Sequence, residues 1–497
     1  MTTRKQHVRL IFGLKLKQLR QQKGLSFQEL SKAAGVSVSY LNEIEKGKKY
    51  PQSDKILALA AALDVSYDQL VSLKLSRKLA PIAELISSGL FDHLPLSHFG
   101  LDPGSLLEMI AAAPVQVNAF ISTLAKIARN YEMRTENFFF AALRSYQEMH
   151  DNYFEDLEEA AGQCARAFGV PAAPVDAAVL ERILTREYGC RIAALPTGDS
   201  PELGQFRSVF APKSNLLYLN PALSAPQRAF ALGRELGFQF LGLKDRPLTS
   251  SVFEVRSFEE VLSNFKASYF SVALLMDRDA FLAELAALFG QPHWDPAGFL
   301  HLMERYQATP EMFLHRISNL LPRFFHIDNL FFLRFQDSLD MGEHNYHMTK
   351  ELHLSRLHHP HRNDLNEHYC RRWVSVRMLA QLRREQQEGA APPVLIGAQR
   401  SRFAGSRDEY FNITLARSNT PSYRANVSVT LGIHMDANAR KRIRFLESPD
   451  VPQREVGETC ERCLLQDCAE RAAAPSVVAQ TESQAQIRRK LQELTQA

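Results

Sequence analysis

Three of the six cysteines lie within nine residues, at Cys460, Cys463 and Cys468. The CxxC spacing of the first two can direct both thiolates to one metal ion, because the short loop turns the side chains to the same side. An Fe–S cluster can bind three cysteines and an exogenous ligand, whereas a closed zinc site requires four ligands. The fourth could be a distant histidine or one of the remaining cysteines, Cys164, Cys190 and Cys370. Structural or redox-active thiols are the alternative, and the sequence leaves both interpretations open.

Histidines crowd a second segment, at His353, His358, His359, His361 and His368. A histidine-rich tract is typical of some metal-binding segments. No pair in this tract has the i, i+4 spacing beside a carboxylate that a zinc-binding helix shows. We therefore interpret the tract as a polar, partly buried surface rather than a metal site.

The charge of the chain is unevenly distributed. The formal net charge is +4, yet residues 1–80 carry 15 Lys and Arg against 6 Asp and Glu, so the remaining residues are acidic overall. A basic segment attached to an acidic body is typical of a phosphate-binding domain. The sequence has no apolar run of about 18 residues and no secretory signal, so we expect a cytoplasmic protein without a membrane span.

The stretch 24–51 predicts two short helices joined by a tight turn. Ser26 is a suitable N-cap, and Glu29 three residues later completes a capping box. Gly35 supplies a turn residue that tolerates positive φ. A second helix then begins at Ser37 or Val38 and turns an apolar side inward. This arrangement is typical of a helix-turn-helix that presents its second helix to the DNA major groove, and an ordinary helical hairpin is the alternative.

The outward side of this motif provides candidate DNA contacts. We expect the lysines to bind phosphates and the residues of the second helix to reach base edges. The predicted DNA-binding residues are Lys15, Gln28, Ser37, Val38, Ser39, Tyr40, Asn42, Glu43, Lys46, Lys48 and Lys49. Because one small head gives modest affinity, we expect a homodimer that places two recognition helices on double-stranded DNA.

Residues 9–75 resemble the XRE family of phage Cro/repressor-like DNA-binding domains. The matching residues are Leu25, Glu29, Leu30, Ala33, Gly35, Val36, Leu41, Ile44, Glu45, Gly47 and Pro51. The resemblance implies an all-α, five-helix, lambda-repressor-like head in which Arg20 pairs with Glu45. Phe27 stands where many members place a phosphate-contacting Gln, so the resemblance does not carry that contact to this chain.

The whole chain is predicted to be multidomain, mainly α with α+β parts. We expect the head at 1–80, a helical linker or dimerisation segment at 81–150, an α+β domain at 151–325, a C-terminal α+β sensor domain with an antiparallel sheet at 326–480, and a tail at 481–497. The predicted strands are 191–195, 209–219, 329–335, 350–355, 394–399, 410–417 and 426–433, and a helix is predicted at 366–387 with Val374, Met378 and Leu382 facing inward.

The middle of the chain resembles the ImmA/IrrE family of metallopeptidase-like domains. In that family an HExxH helix carries two zinc-binding histidines and a general base, and a later helix carries an acidic ligand. The matching positions here are Arg234, Glu235, Phe238 and Asn264. Neither Arg nor Phe can serve as the neutral nitrogen ligand, so the resemblance implies a degenerate zincin-like domain with no metal and no peptidase activity. A metallopeptidase acting on a partner regulator is the disfavoured alternative.

The order of these parts, ending in CxxCxxxxC followed by Arg471, resembles the short-chain fatty acyl transcriptional regulators of bacteria. The resemblance implies a DNA-binding regulator, and not an enzyme, whose C-terminal region binds an acyl-CoA or a related effector. In some relatives the three cysteines are linked to an Fe–S cluster, which the resemblance carries to Cys460, Cys463 and Cys468. The histidine-rich tract departs from that pattern. A scaffold protein that binds no DNA is a further alternative, separable by salt-dependent duplex binding.

Overall fold

A computed structural model describes most of the chain, in two compact units. The described residues are 2–72, 135–249, 255–340, 343–354, 367–418 and 425–496. One unit comprises Met1–Tyr146 with Val255–Glu259, and the other comprises Gln147–Glu254 with Glu260–Ala497. Most of the predicted linker 81–150 lies outside the described residues, as do His358, His359 and His361.

The head contains the five predicted helices. They are α1 (Thr2–Gln22), α2 (Phe27–Ala34), α3 (Val38–Glu45), α4 (Ser53–Ala62) and α5 (Tyr67–Val71). The predicted capping box forms, because Ser26 Oγ accepts from Glu29 N at 3.2 Å while Glu29 Oε2 accepts from Ser26 N at 2.7 Å. Gly35 ends α2 at a φ of 64°, a backbone conformation that glycine adopts without steric cost. The local sequence signals therefore define the helix ends.

A small apolar core holds these helices together. Leu16, Leu30, Leu41 and Ile44 are fully buried in it, one or more from each of the first three helices. Gly13 lets α1 approach α3, since an added Cβ would lie 2.3 Å from Ile44 O. Only a glycine allows this contact between the two backbones.

A buried ion pair joins α1 to the end of α3, as the XRE resemblance implies. Arg20 Nε and Nη2 donate to the two carboxylate oxygens of Glu45 at 2.7 and 2.9 Å. Phe27 covers this pair, with its ring centre 4.1 Å from the guanidinium carbon of Arg20. Phe27 therefore packs on the pair, which gives it a structural role where many family members place a polar residue.

Among the described residues between the head and the large sheet, eight further α-helices are present. They are α6 (Thr135–Met149), α7 (Glu155–Phe168), α8 (Ala177–Tyr188), α9 (Ala225–Phe240), α10 (Phe258–Leu275), α11 (Arg278–Phe289), α12 (Pro296–Arg305) and α13 (Pro310–Leu320). A fully buried ion pair connects α7 to α13, since Arg316 Nη2 donates to Glu158 Oε2 at 3.0 Å. Tyr269 of α10 donates to the same carboxylate at 2.9 Å. This shared carboxylate fixes three helices of the second unit.

A small sheet follows α8 in the order β1-β3-β2. β1 (Arg191–Ala194) runs parallel to β3 (Leu216–Leu219), and β2 (Ser208–Ala211) is antiparallel to β3. The strand predicted at 209–219 is therefore two strands. They are separated by the turn Pro212–Ser214 and by Asn215 at a φ of 46°.

The C-terminal half of the second unit is built on a six-stranded sheet, in the order β5-β4-β8-β7-β6-β9. The strands are β4 (Leu330–Asp340), β5 (Glu343–His353), β6 (Leu395–Phe403), β7 (Glu409–Ser418), β8 (Asn426–His434) and β9 (Gln453–Val456). Each strand predicted in this region has an observed counterpart. β9 pairs in parallel with β6 and was not predicted.

Helices cover both faces of this sheet. On one face α14 (Val374–Gln387) packs against β4, β6, β7 and β8, and on the other α13 packs against β4 and β8. Val374, Met378 and Leu382 are buried, as predicted. The helix begins at Val374 rather than at 366 because 367–373 pair with a later segment, as the Tyr369–Thr459 bridge shows.

The chain ends with α15 (Ala437–Arg442) and α16 (Ser476–Gln496). α16 crosses the predicted boundary between the C-terminal domain and the tail at 480. In the portion of the chain that the structure describes, we find no helix with the length and apolar character needed to span a membrane.

Candidate functional site

Helix α3 is anchored by one side and exposes the other. Leu41, Ile44 and Glu45 are buried against the rest of the head. Val38 is 41% exposed, and Ser39 and Asn42 are exposed as well. Asn42 lies one turn after both Val38 and Ser39, so the three exposed residues form a continuous strip along the helix. This strip contains three of the side chains that were predicted to reach base edges, whereas Tyr40 and Glu43, which were also predicted, are half-buried.

The flanks of α3 are fixed by short polar contacts. Ser37 Oγ accepts from Tyr40 N at 3.1 Å, so Ser37 is the N-cap of the helix. Glu43 pairs with Lys49 at 2.8 Å, and Lys49 Nζ lies 5.8 Å from the ring centre of Tyr40. The contacts of Glu43 and Lys49 place a lysine beside the C-terminal end of α3.

The remaining predicted contacts lie near this helix in the chain. Gln28 is exposed in the first turn of α2, and Lys48 is exposed directly after α3. Lys46 is half-buried at the C-cap of α3. The DNA contacts of these residues and of the exposed strip remain predictions.

The structure contradicts the predicted DNA contact of Lys15. Its Nζ donates to Ser72 O at 2.6 Å and to Ser72 Oγ at 2.8 Å, and the residue is 8% exposed. Burial lowers the pKa of this ammonium group. Position 15 faces the end of α5 because it lies on the inner side of α1. Lys15 therefore joins two parts of the head and is not placed to bind a phosphate.

The positions matched to metal ligands come together in the second unit. Arg234 on α9 donates to Asn264 Oδ1 on α10, at 2.9 Å from Nε and 2.6 Å from Nη2. The guanidinium carbon of Arg234 lies 5.0 Å from the ring centre of Phe238. The resemblance to the ImmA/IrrE family thus matched residues that lie close together, including Asn264. A guanidinium and an aromatic ring, however, occupy the positions of the two histidine ligands.

Glu235 is held by a residue that sequence analysis missed. Arg246 Nη1 donates to Glu235 Oε1 at 2.7 Å, and Nη2 contacts the second carboxylate oxygen. The guanidinium of Arg246 lies between two rings, 3.9 Å from the centre of Phe210 and 4.0 Å from that of Phe238. Arg246 lies in a loop after α9, and no sequence pattern indicated that it returns to this helix.

The electrostatics of this cluster oppose cation binding. Burial lowers the pKa of Arg234 to about 10, and the nearby positive charge of Arg246 adds to this shift while Glu235 opposes it. Two guanidinium groups therefore face one carboxylate. Glu235 also accepts from Gln239 Nε2 at 3.0 Å. Both carboxylate oxygens of Glu235 are therefore engaged by neighbouring side chains, whereas the general base of a zinc hydrolase acts on a water that the metal activates.

The cysteines are distributed between both halves of the second unit. Cys164 and Cys190 are buried in the α7–β1 region, whereas Cys370, Cys460 and Cys463 are buried near the C-terminus and Cys468 is half-exposed. Burial is the main cause that raises the pKa of Cys370 to about 11, and Cys463 and Cys460 contribute to the same shift. Cys370 is therefore close enough to interact with the first two thiols of the cluster.

Backbone groups contact two of these sulfurs. Gly457 N donates to Cys370 Sγ at 3.4 Å, and Ala472 N donates to Cys460 Sγ at 3.3 Å. Within the described ranges, no group of three or more His, Cys, Asp or Glu side chains is arranged to hold a metal ion. The Fe–S or zinc hypothesis for Cys460, Cys463 and Cys468 stays a prediction.

The C-terminal end of the histidine tract is tied to the cysteine segment. His368 Nδ1 lies 2.7 Å from Glu461 Oε1, and His368 N donates to Glu461 Oε2 at 2.9 Å. The backbone carbonyl of Glu461 accepts from the backbone N–H groups of Val477 and Val478. Arg462 pairs with Glu367 at 2.6 Å. His368 thus has a structural partner, and this pairing of segments 367–373 and 457–463 was not evident from the sequence.

Two parts of the chain match family models. Residues 16–70 match the model described as "Helix-turn-helix". Residues 185–318 match the model described as "IrrE N-terminal-like domain". The second match includes the small sheet, α9 and α10, and hence the Arg234–Asn264 contact.

Similar proteins include named regulators. The chain is 24% identical over 327 residues to the "Propionyl-CoA carboxylase regulator" of Cereibacter sphaeroides, covering 63% of this chain and 65% of that protein. It is 24% identical over 329 residues to the "HTH-type transcriptional regulator RamB" of Mycobacterium tuberculosis, covering 62% and 65%. These matches thus span just under two thirds of the length of these relatives.

Among solved structures, a "Mycobacterium tuberculosis transcriptional regulator" matches with a TM-score of 0.46 and 18% identity, covering 68% of this chain and 93% of that one. The two family models, unlike this structural likeness, each match a separate segment of the chain. The chain carries an XRE-type helix-turn-helix domain and an IrrE-like domain.

Proposed function

We propose that this protein is a cytoplasmic, sequence-specific DNA-binding transcriptional regulator. The observation that carries the proposal is the geometry of α3. Its inner side is locked by Leu41, Ile44 and the Arg20–Glu45 pair, while Val38, Ser39 and Asn42 are exposed on the other side. A rigid helix with small and polar outward side chains is what a helix-turn-helix inserts into the major groove.

The proposed contacts divide into two groups. Val38, Ser39 and Asn42 would reach base edges, with Asn42 suited to an adenine through its amide. Lys46, Lys48 and Lys49, together with Gln28, would bind phosphates and set the position of the head on the duplex. Lys15 is left out because Ser72 engages its ammonium group.

We further propose that the regulator acts as a homodimer. A single head buries a small area on DNA, whereas two recognition helices about 34–36 Å apart can read successive major grooves on one side of the duplex. The second unit would then bind a small-molecule effector, such as a short-chain acyl-CoA, and alter DNA affinity through a two-state change. The name of the relative from Cereibacter sphaeroides, "Propionyl-CoA carboxylase regulator", supports this effector class.

The protein is proposed not to be an enzyme. Arg234 and Phe238 occupy the positions of the zinc-binding histidines, and the guanidinium of Arg234 bonds directly to Asn264. The IrrE-like domain would therefore act as a scaffold. A metallopeptidase function is less well supported, since it requires neutral nitrogen or anionic ligands at these positions. The cysteine cluster would bind an Fe–S cluster or zinc, with Cys370 as an added candidate ligand.

A selection experiment tests the DNA-binding proposal. The full-length protein is incubated with random duplexes, and bound sequences are enriched over several rounds. We expect an inverted repeat whose half-sites lie about one helical turn apart. The variant S39A/N42A should lose specific affinity, because each base contact is worth about 1–3 kcal/mol.

Gln69 offers a matched control, since it is exposed on α5 and lies outside the proposed contact set. Gln69→Ala should bind the selected site as tightly as the unmodified protein. The absence of any enriched sequence, or equal loss of affinity in both variants, would contradict the proposal.

A further inference from the structure

The last helix, α16, is exposed along nearly its whole length. Its first turn is anchored, because Val477 N and Val478 N donate to the backbone carbonyl of Glu461 at 3.1 and 3.4 Å. After this turn every residue from 479 to 495 is exposed. The helix is therefore fixed to the cysteine segment at its beginning, and the rest of it is surrounded by solvent.

Three large apolar side chains lie along one side of this exposed part and form the α16 seam. Ile487 and Leu491 are each 55% exposed, and Leu494 is 75% exposed. Their spacing of four and then three residues places them on the same side of the helix. This spacing matches the d, a and d positions of a heptad repeat. Extended over the whole helix, the a and d positions of that repeat are Val477, Gln480, Gln484, Ile487, Leu491 and Leu494.

A helix exposed on every side lacks the packing that stabilises most helices in proteins. That stability comes chiefly from burying one apolar side, and local propensity contributes less. Apolar side chains on adjacent turns would gain free energy if a partner removed them from water. Because the seam is narrow and has a heptad spacing, the partner that fits it is another helix.

The residues that flank the seam are compatible with a second copy of the same helix. In a parallel pair, each g residue of one helix lies near the e residue five positions later in the other. In α16 these pairs are Ser476 with Thr481, Ser483 with Arg488, and Lys490 with Thr495. Each pair contains at most one charged side chain, so two parallel copies meet without repulsion between like charges.

An anionic membrane surface fits α16 less well. Helices that lie on membranes combine a broad apolar side with a strongly basic polar side. The sequence of α16 has three basic and two acidic side chains, which gives a net charge of +1. Gln480 and Gln484 also interrupt its apolar side. Polar residues at core positions are instead a feature of coiled coils, where they select the register at a cost in stability.

We propose that α16 pairs in parallel with α16 of a second copy of this chain. The inference rests on the homodimer of the proposed function and assigns its interface to this helix. Since the seam has only three large apolar residues, pairing of the free protein should be weak and dependent on concentration. Two heads bound to one duplex would raise the effective concentration of the two helices and strengthen the pairing.

Sedimentation equilibrium of the full-length protein over a range of concentrations tests this pairing. We expect the unmodified protein to form a reversible dimer. Leu491→Glu and Leu491→Lys should each weaken dimerisation about 10-fold or more, because each brings two like charges together at a core position. An equimolar mixture of L491E and L491K should dimerise again, since the two residues at position 491 face each other in a parallel pair.

Gln492 offers the matched control, because it is the exposed neighbour of Leu491 and lies outside the seam. Gln492→Glu and Gln492→Lys introduce the same charges and should dimerise like the unmodified protein. Residue 491 is exposed in the single chain, so all four variants should keep the unfolding temperature of the unmodified protein at concentrations where it is monomeric. Recovery of the dimer in the L491E and L491K mixture would also show that both variants are folded.

The contradicting outcomes separate this interface from the proposed function. If the unmodified protein stays monomeric, or if L491E and L491K dimerise as well as it does, the α16 proposal is overturned. Binding of the unmodified protein to phosphatidylserine vesicles that is lost in L491E, with no change in dimerisation, would overturn it in favour of a membrane. In each of these cases an inverted repeat from the selection on random duplexes would still support a DNA-binding homodimer.

Discussion

The head and the α9 region each bury a glutamate against an arginine, but in different charge environments. In the head, Glu45 receives two hydrogen bonds from Arg20, and the charges match one to one. In the α9 region, Glu235 pairs with Arg246 while Arg234 lies close by as a second cation. The first pair stabilises the head, whose helix α3 exposes the residues proposed to contact DNA. The second pair lies beside Arg234, Phe238 and Asn264, the residues that match metal-ligand positions in the resembling family.

The difference shows that a domain can retain the fold of its family with or without the residues that the family uses for function. The head keeps the residue pair that its family resemblance implies, so its surface can be interpreted by analogy. The IrrE-like domain keeps its helix packing through Gly237, where an added Cβ would meet Phe270 Cδ1 at 3.0 Å. Its ligand positions are changed, so its chemistry cannot be inferred by analogy.

Removing the carboxylate of Glu235 should have the largest effect. Glu235→Gln leaves two buried guanidinium groups without an anion, so we expect the free energy of unfolding to fall by about 3–5 kcal/mol. Urea denaturation of the full-length protein, monitored by hydrogen exchange in α9, measures it. Glu181→Gln is the control, because Glu181 pairs with Arg228 in a half-exposed position and should cost below about 1 kcal/mol. Equal losses of unfolding free energy in the two variants would contradict the expected difference between a buried and a half-exposed ion pair.

Glu45→Gln should have the next largest effect. It removes a bidentate partner from one buried arginine, and we expect a loss of about 2–3 kcal/mol, typical of hydrogen bonds to charged groups. Hydrogen exchange in α1 and α3 measures this loss of stability. Asp64→Asn serves as control, since the Asp64 side chain is 90% exposed beside Lys23. If Glu45→Gln costs as much as Glu235→Gln, the charge imbalance around α9 has no energetic consequence.

Glycine substitutions extend the comparison to backbone packing. Gly13→Ala should destabilise the head by about 1–3 kcal/mol, because the new Cβ meets the backbone oxygen of Ile44 at 2.3 Å. At Gly233 the nearest atom is Ser271 Oγ at 2.5 Å, a side-chain atom that can rotate away if it gives up its hydrogen bond to Phe230 O. Gly233→Ala should therefore cost less than Gly13→Ala. Thermal melts of the two variants give the order, and the reverse order would exclude this explanation.

A smaller effect is expected from pH. Burial, followed by the charge of Lys350, lowers the pKa of His315 to about 3. The unfolded chain takes up a proton near pH 6.5 that the folded state does not, so stability falls as pH decreases below that value. Between pH 7 and 5.5 the loss should be about 1 kcal/mol. His315→Gln should reduce this slope in urea titrations at the two pH values, and an unchanged slope would show that His315 does not cause it.

The sequence predicted the parts of the molecule that local signals determine. Caps such as Ser26 and Gly35 fixed helix ends, and alternating apolar residues located the strands of the large sheet. Lys15 was misplaced because helical spacing alone does not show which side of α1 meets α5. Arg246 and the pairing of His368 with Glu461 were missed because both depend on contacts between segments distant in the chain, for which a single sequence provides no periodic signal.

The parallel pairing of β9 with β6 has a consequence for how the chain folds. Residues 453–456 pair with residues 400–403 of β6, about fifty residues after β6 has been synthesised. Until then β6 presents an open row of N–H and C=O groups, which is a template for aggregation. The sheet therefore has a high contact order, and its completion should be slow relative to the locally connected head. A chain truncated before Gln453 would retain that open edge and should aggregate, while its head folds normally.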